Sequence, residues 1–330
     1  MTTTLHDGER DWLTRVVDNL ADDDLKLVYA DWLDERGDER AEFLRQLVAA
    51  TRSMEIVDFP KPPESPIGWS ELVGHDLLSN IAENCNPKFK ETAIRLARPA
   101  LRMEVADKND RDMPVGSSKI GGLPDLPAGF DWPLGHQCKA IYNDDTKGVE
   151  ELAGFMAQVN LAEIAQTQAG RLLPSSGVLS FFCFQDLEND NPDVIGAAAL
   201  LLPEPDQLVR TEPPRDFIEG NETMESQRLS FVETLDLPES YDGPWSDDFK
   251  PFEEEDYEGV CEHLRMLNFD NMLGHGRATT SGDPTPNRQS RHLIILNNPG
   301  ECRLHIQIPE KELAARNFDA ITLDWVDFDP

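Results

Sequence analysis

The spacing of apolar residues changes character once along this chain, and the change limits what it can fold into. From Asp11 to Val48 they recur at helical spacing: Trp12, Leu13, Val16, Val17 and Leu20, then Leu25, Val28, Tyr29, Trp32 and Leu33, then Phe43, Leu44, Leu47 and Val48. Three short helices are predicted there, with Asp22 capping the second, Gly37 ending it and Asp38 capping the third. Beyond Pro99 the apolar runs are short and broken by Gly, Pro, Asn and Asp: ALRMEV, GFMAQVNL, GVLSFFCF, IGAAALLL, LSFVETL, HLIILNN, CRLHIQI and AITLDWVDF. Most are too short for core helices and several are rich in β-branched and aromatic residues, so they read as strands. IGAAALLL also has the composition of a helix. Helical spans among them are few: Glu150 to Gln158, which overlaps GFMAQVNL, then Glu254 to Leu267 and Glu310 to Arg316. This order predicts an α+β fold with mainly antiparallel sheets behind a small three-helix N-terminal module.

Between the two textures, residues 55–70 contain FPKPPESP and no periodicity, which predicts a linker. The expected organisation is therefore a helical module at 1–54, the proline-rich linker and an α+β domain at 71–330. That domain opens with helical segments in ELVGHDLLSNIAEN and KFKETAIRLAR.

Charge narrows the function classes. With 30 Lys and Arg against 63 Asp and Glu, the formal net charge is −33, spread along the chain. A nucleic-acid backbone or an anionic membrane would be repelled, whereas a basic protein partner would be attracted. The five cysteines (Cys85, Cys138, Cys183, Cys261 and Cys302) form no CxxC and read as reduced, buried thiols. The N-terminus shows no secretory pattern and no run approaches 18 apolar residues, so a cytoplasmic location is expected.

The stretch SKIGGLPDLPAGFDWP, Ser118 to Pro133, is the densest in glycine, proline and aromatic residues. Gly121 and Gly122 suit backbone conformations closed to other residues, the prolines stiffen the exit, and Phe130 and Trp132 are expected to anchor the loop. A functional alternative has the backbone N–H groups and the Lys119 ammonium cup an anion or a partner's carboxylate. The candidate binding residues are Lys119, Gly121, Gly122, Trp132 and Gln158. Their spacing is neither a P-loop nor a GxGxxG fingerprint.

Other chemistry-bearing patterns fall short. Asp186, Glu188 and Asp190 begin like a calcium loop, but Asn191 stands where glycine is needed and Ala197 where a carboxylate is needed. His136 and Cys138 are two apart with no second ligand pair, and no HxxxH, HExxH or GxSxG occurs. No metal, cofactor or catalytic residue is therefore expected. The most concentrated acidic stretch, DDFKPFEEEDYE at Asp247 to Glu258, interleaves aromatics with acids; Asp247, Asp248, Glu253, Glu254 and Glu255 are candidates for steering a basic partner.

Two stretches resemble known families. LVYADWLDERGDERAEFLRQL, within residues 11–48, is similar to the repeat-companion domain of planctomycete-type bacteria. That resemblance implies an accessory or docking module without catalytic residues; the acids and arginines of DERGDERAE read as solvated helix ends. Residues 97–328 resemble the YwqG-like family, through Ser118, Lys119, Gly121, Gly122, Pro124, Pro127, Trp132, Pro133, Gln158, Phe181 and Phe182. The resemblance implies an α+β fold of two packed, related sheets with no settled reaction, and some relatives are associated with bacterial toxin systems. An internal duplication is also expected, pairing KIGGLP with MLGHGR, FMAQVNLAEI with HLIILNN, and GVLSFFCF with CRLHIQIPEKEL. The sequence thus predicts a non-enzymatic interaction protein, in its specific form one that neutralises a basic partner in the manner of an immunity protein. The alternative is a small-ligand binder or an enzyme using a cleft around Lys119 and Gln158.

Overall fold

A computed structural model describes residues 4–53, 59–84, 89–107, 109–140, 150–185, 195–214, 225–238, 248, 271–276, 289–297 and 302–327. The chain has a mixed α+β fold with mostly antiparallel sheets and a helical N-terminal region. It divides into two compact units, Met1–Arg102 with Val232–His275, and Met103–Phe231 with Gly276–Pro330.

In the first unit, α1 (Glu9–Asp18), α2 (Asp23–Asp34) and α3 (Arg40–Ser53) follow the apolar spacing. Their ends use the expected residues. Asp22 accepts the Leu25 N–H at 2.9 Å, Gly37 adopts φ +68°, and Asp38 accepts the Arg40 N–H at 3.0 Å. Three more helices follow: α4 (Trp69–Leu72), α5 (His75–Asn84) and α6 (Phe89–Leu96). Leu13, Leu33, Leu44 and Leu47 share one core with Trp69, Leu72 and Leu77, so packing continues past the proline-rich stretch.

Asp34, Glu35, Arg36, Glu39 and Glu42 of the DERGDERAE segment are exposed, as expected of solvated helix ends, and Arg40 is the departure. Arg40 is fully buried, bonded to Glu9 at 2.7 and 3.0 Å and to Asp38 at 2.6 Å. The Tyr29 hydroxyl donates to Glu9 at 2.6 Å, and the Trp69 indole N–H donates to the Tyr29 oxygen at 2.8 Å. A buried guanidinium needs carboxylates on its fork, and the turn at Gly37 places Asp38 two residues before it. Burial and the neighbouring Glu9 raise the Tyr29 pKa, keeping that hydroxyl protonated as a donor.

The second unit is built on strands. β1 (Arg98–Asp107), β2 (Lys119–Ile120), β3 (Asp125–Pro127), β4 (Lys139–Ala140), β5 (Gly154–Asn160), β6 (Val178–Gln185), β7 (Ile195–Leu202), β8 (Leu208–Arg210) and β9 (Gln227–Asp236) come first in the chain. Here the sheet order is β1-β9-β2-β5-β6-β7-β4, with β3 and β8 paired as a separate ribbon. The division between the units falls within β1 and β9, and β10 (Asn271–Met272) pairs with β1 in the first unit. A further sheet, β11 (Ser290–Asn297), β12 (Cys302–Pro309) and β13 (Thr322–Asp327), is antiparallel throughout. Two short helices, α7 (Leu161–Ile164) and α8 (Glu310–Ala314), directly follow β5 and β12.

Two local readings are settled by burial. Glu150 to Gln158 is not a helix: residues 154–158 belong to β5, where Phe155, Met156, Ala157, Gln158 and Val159 are all buried between two neighbouring strands. IGAAALLL, helical in composition, pairs along its whole length with β6. The calcium-like stretch, the span Glu254 to Leu267 and the acidic candidates Asp247, Glu253, Glu254 and Glu255 lie outside the described residues. Among the described residues no helix is long and apolar enough to cross a membrane.

Candidate functional site

Strand pairing brings Lys119 and Gln158 together. The register sets Lys119 opposite Gln158 across β2 and β5, and Gln158 opposite Ser180 across β5 and β6, so the three occupy one row. All three are fully buried. A second pairing, Asp125 opposite Arg210 across β3 and β8, adds one charge of each sign.

These groups form one network. Lys119 Nζ donates to Asp110 Oδ1 at 2.6 Å and to the Leu123 carbonyl, and lies 4.0 Å from Asp125 Oδ2. Asp110 Oδ2 accepts the Leu123 N–H at 2.6 Å. Asp125 accepts from Gly116 N–H at 2.7 Å, Gln158 Nε2 at 2.7 Å and Arg210 Nε at 2.7 Å. Gln158 also donates to the Ser117 carbonyl at 2.8 Å, and its Oε1 accepts the Asp125 N–H at 3.0 Å. Burial lowers the Lys119 pKa from the ordinary lysine value against the pull of Asp110 and Asp125. Burial would raise the Asp125 pKa, but the Arg210 bond, Lys119 and the Gly116 and Gln158 donors outweigh it and hold it low.

The glycine turn closes around the Asp110 carboxylate. Gly121 and Gly122 have φ +65° and +70°, a region that admits most side chains only under strain. The Gly121 N–H donates to the Met156 carbonyl at 2.8 Å, and a Cβ placed on Gly122 would lie 2.0 Å from Asp110 Oδ2. Both expected glycine conformations are therefore present. The turn faces an internal carboxylate, and the ammonium expected to cup an anion is bound to that same group.

A second copy of this clasp stands at Asn271–His275. Asp236 Oδ1 accepts from Asn271 Nδ2 at 3.0 Å and Asp236 Oδ2 accepts the His275 N–H at 2.7 Å, as Asp110 does from Lys119 and Leu123. Leu273 has φ +67°, matching Gly121, and a Cβ on Gly274 would come 2.2 Å from Asp236 Oδ2, matching Gly122. The expected pairing of the two glycine turns thus has a geometric counterpart. A strand running directly into a short helix also occurs twice, as β5 into α7 and as β12 into α8.

The remaining candidates lie elsewhere. Trp132 donates its indole N–H to the Ala153 carbonyl at 2.6 Å and meets Phe182 edge-on at 5.6 Å, so it anchors its loop. Phe130, expected to share that role, is 36% exposed. Cys138 is buried and its thiol is pushed up to about 12, far from a reactive thiolate. Among the described residues no cluster of three His, Cys, Asp or Glu is placed to hold a metal. Asp110, Asp125 and Arg210 escaped the sequence reading because 63 acids give no reason to single out two. The available signal was Asp125 itself, a lone acid between Pro124 and Leu126 in a tightly shaped loop.

No curated protein matches this chain. A family described as a domain of unknown function (DUF1963) matches residues 118–326, from the residue before Lys119 through most of β13. Since that match covers more than half of the sequence, this chain belongs to the DUF1963 family.

Proposed function

We propose that the chain is a non-enzymatic, cytoplasmic interaction protein that binds a basic protein partner through its acidic surface. The observation that carries this reading is the closure of the glycine-turn network on itself. Lys119, Asp110, Asp125, Arg210 and Gln158 each engage another member of the set, and the turn recurs at Asn271–His275 with a neutral amide in place of the ammonium. A feature that works equally with lysine or asparagine is suited to holding a chain path, and a specific anion site would depend on the positive charge. Function then falls to the surface, whose net charge of −33 would steer a cationic partner. On this reading residues 97–328 are YwqG-like, residues 11–48 are a repeat-companion module that docks, and the specific role is neutralisation of a basic toxin in the manner of an immunity protein.

Affinity capture from the native host, followed by mass spectrometry, tests the reading. One stoichiometric basic protein, released by moderate salt, is the expected result. Recovery of no protein, together with a small molecule retained by the purified chain, would overturn it. One observation favours that second outcome: the buried Ser180 hydroxyl, in the row with Gln158, has no hydrogen-bond partner among the described residues.

A further inference from the structure

Helix α2 buries a lysine and exposes a valine. Tyr29, Ala30 and Leu33 form its core stripe, and Lys26 continues that stripe one turn toward the N-terminus with 1% of its surface exposed, whereas Val28 is 53% exposed. Hydrophobic free energy favours the reverse, so stability alone does not account for the lysine. Among the described residues, the Lys26 side chain makes no hydrogen bond and no salt bridge. The acids on its own helix are already engaged. Asp22 accepts the Leu25 N–H at 2.9 Å, and Asp23 and Asp24 accept from the Arg52 guanidinium at 3.1 and 2.9 Å. Next to Arg52, the Thr51 carbonyl accepts from Lys90 Nζ at 2.9 Å. Two ammonium groups therefore converge beside the end of α3 with no carboxylate bonded to either among the described residues, in a chain with 63 Asp and Glu against 30 Lys and Arg.

That setting makes Lys26 a nucleophile. Burial pushes its pKa down to about 8; Asp23 pulls it back, Lys90 pushes it further down and Asp22 pulls it back. Burial also lowers the Lys90 pKa, against Asp23 and Glu91. A lysine that is desolvated beside another cation carries a free lone pair near neutral pH. Its burial selects the electrophile. A hydrated anion would have to shed its water and a bulky acyl donor would have to displace core side chains, whereas carbon dioxide is small and uncharged.

We propose that Lys26 is a carbamylation site that takes carbon dioxide and holds the product against the Lys90 ammonium. The Nζ lone pair attacks the carbon of carbon dioxide, the N–C bond forms as one C–O π pair moves onto oxygen, and an Nζ proton leaves to solvent. A neutral amine becomes a carbamate of charge −1, and repulsion between the two lysines becomes attraction in a site with little water. The test equilibrates the full chain with isotope-labelled bicarbonate at a pH near the Lys26 pKa. Triethyloxonium ion then alkylates any carbamate into a stable form, and peptide mass spectrometry maps the label. Lys26 is expected to carry the label at least about tenfold above any other lysine, because only there is the amine both desolvated and beside a second ammonium. Lys90→Gln should lower the Lys26 label at least about threefold by removing the cation that faces the carbamate. Lys26→Arg should abolish it, and the maps of the wild type and Lys90→Gln decide the matter even if that variant fails to fold. Label spread evenly over exposed lysines with Lys26 unmarked would overturn the site. Bicarbonate that raises the unfolding temperature but leaves no label on Lys26 would make this an ordinary anion site and overturn the carbamate. A Lys26 label unchanged in Lys90→Gln would refute the pairing with Lys90.

Discussion

Asp110 is held by a backbone N–H and a side-chain ammonium from one tight turn, so small changes at that turn should cost more than their size suggests. Gly122 combines φ +70° with a Cβ position 2.0 Å from Asp110 Oδ2, whereas Gly129 has φ +75° and open space around its Cβ position. Gly122→Ala is therefore expected to lose at least about 2 kcal/mol and Gly129→Ala about 1 kcal/mol, since only the first adds a clash to the backbone strain. Urea denaturation of the two variants checks the difference, and equal losses would mean that the carboxylate does not pack against the turn. A second single-residue consequence concerns acid. Burial would raise the Asp38 pKa, but the Arg40 bonds and His6 outweigh it and hold the carboxyl down at about 2. A carboxyl depressed in the folded state stabilises it fully above the unfolded value of about 4, and that contribution is lost as pH falls toward 2. Asp38→Asn should flatten this acid limb in thermal unfolding profiles between about pH 4 and pH 2, and an acid limb as steep as in wild type would count against it.

At the scale of elements, helices α1 to α3 were legible because their signals agree: apolar spacing, the Asp22 cap and the Gly37 stop all point to the same boundaries. β5 was only half legible, since Glu150 to Gln158 has helix-forming composition and what makes it a strand is burial between β2 and β6. The clasp was visible as a glycine turn but not as a clasp, because its acceptors Asp110 and Asp125 lie in segments with no periodicity to mark them. The two glycine turns share a hydrogen-bonding pattern that sequence could suggest, whereas which strands would correspond is not legible, because apolar runs of similar length align equally well in several registers. The same ambiguity affects the proline-rich stretch, whose composition marks a linker although α4 and α5 pack with the residues before it. Removing residues 1–70 would strip Leu13, Tyr29, Leu33, Leu44, Leu47 and Trp69 from around Leu72 and Leu77. A chain of residues 71–330 is expected to unfold with a broadened, less cooperative transition than the full chain, monitored by circular dichroism. A sharp transition at the full-length temperature would show that the helices are dispensable.

For the whole molecule, the excess of acids has to act at long range, because a field of this size changes how partners approach more than how tightly a given contact holds. Replacing Glu253, Glu254 and Glu255 by Gln should leave the unfolding temperature unchanged, slow association with the captured basic partner and flatten its salt dependence in stopped-flow measurements. An unchanged salt slope would remove the stretch from the interface. This division of labour, with binding on the surface and the glycine turn serving the fold, stands or falls on whether Lys119 and Asp110 stabilise each other. The direct measurement is a double-mutant cycle of Lys119→Ala and Asp110→Ala by urea denaturation. Each single variant is expected to lose about 3 kcal/mol by leaving a partner charge buried, and the double variant to lose no more than about 1 kcal/mol beyond either, which amounts to a coupling of about 2 kcal/mol. Single variants as stable as wild type, with no coupling between them, would contradict the account and return Lys119 to the role of a ligand-binding residue.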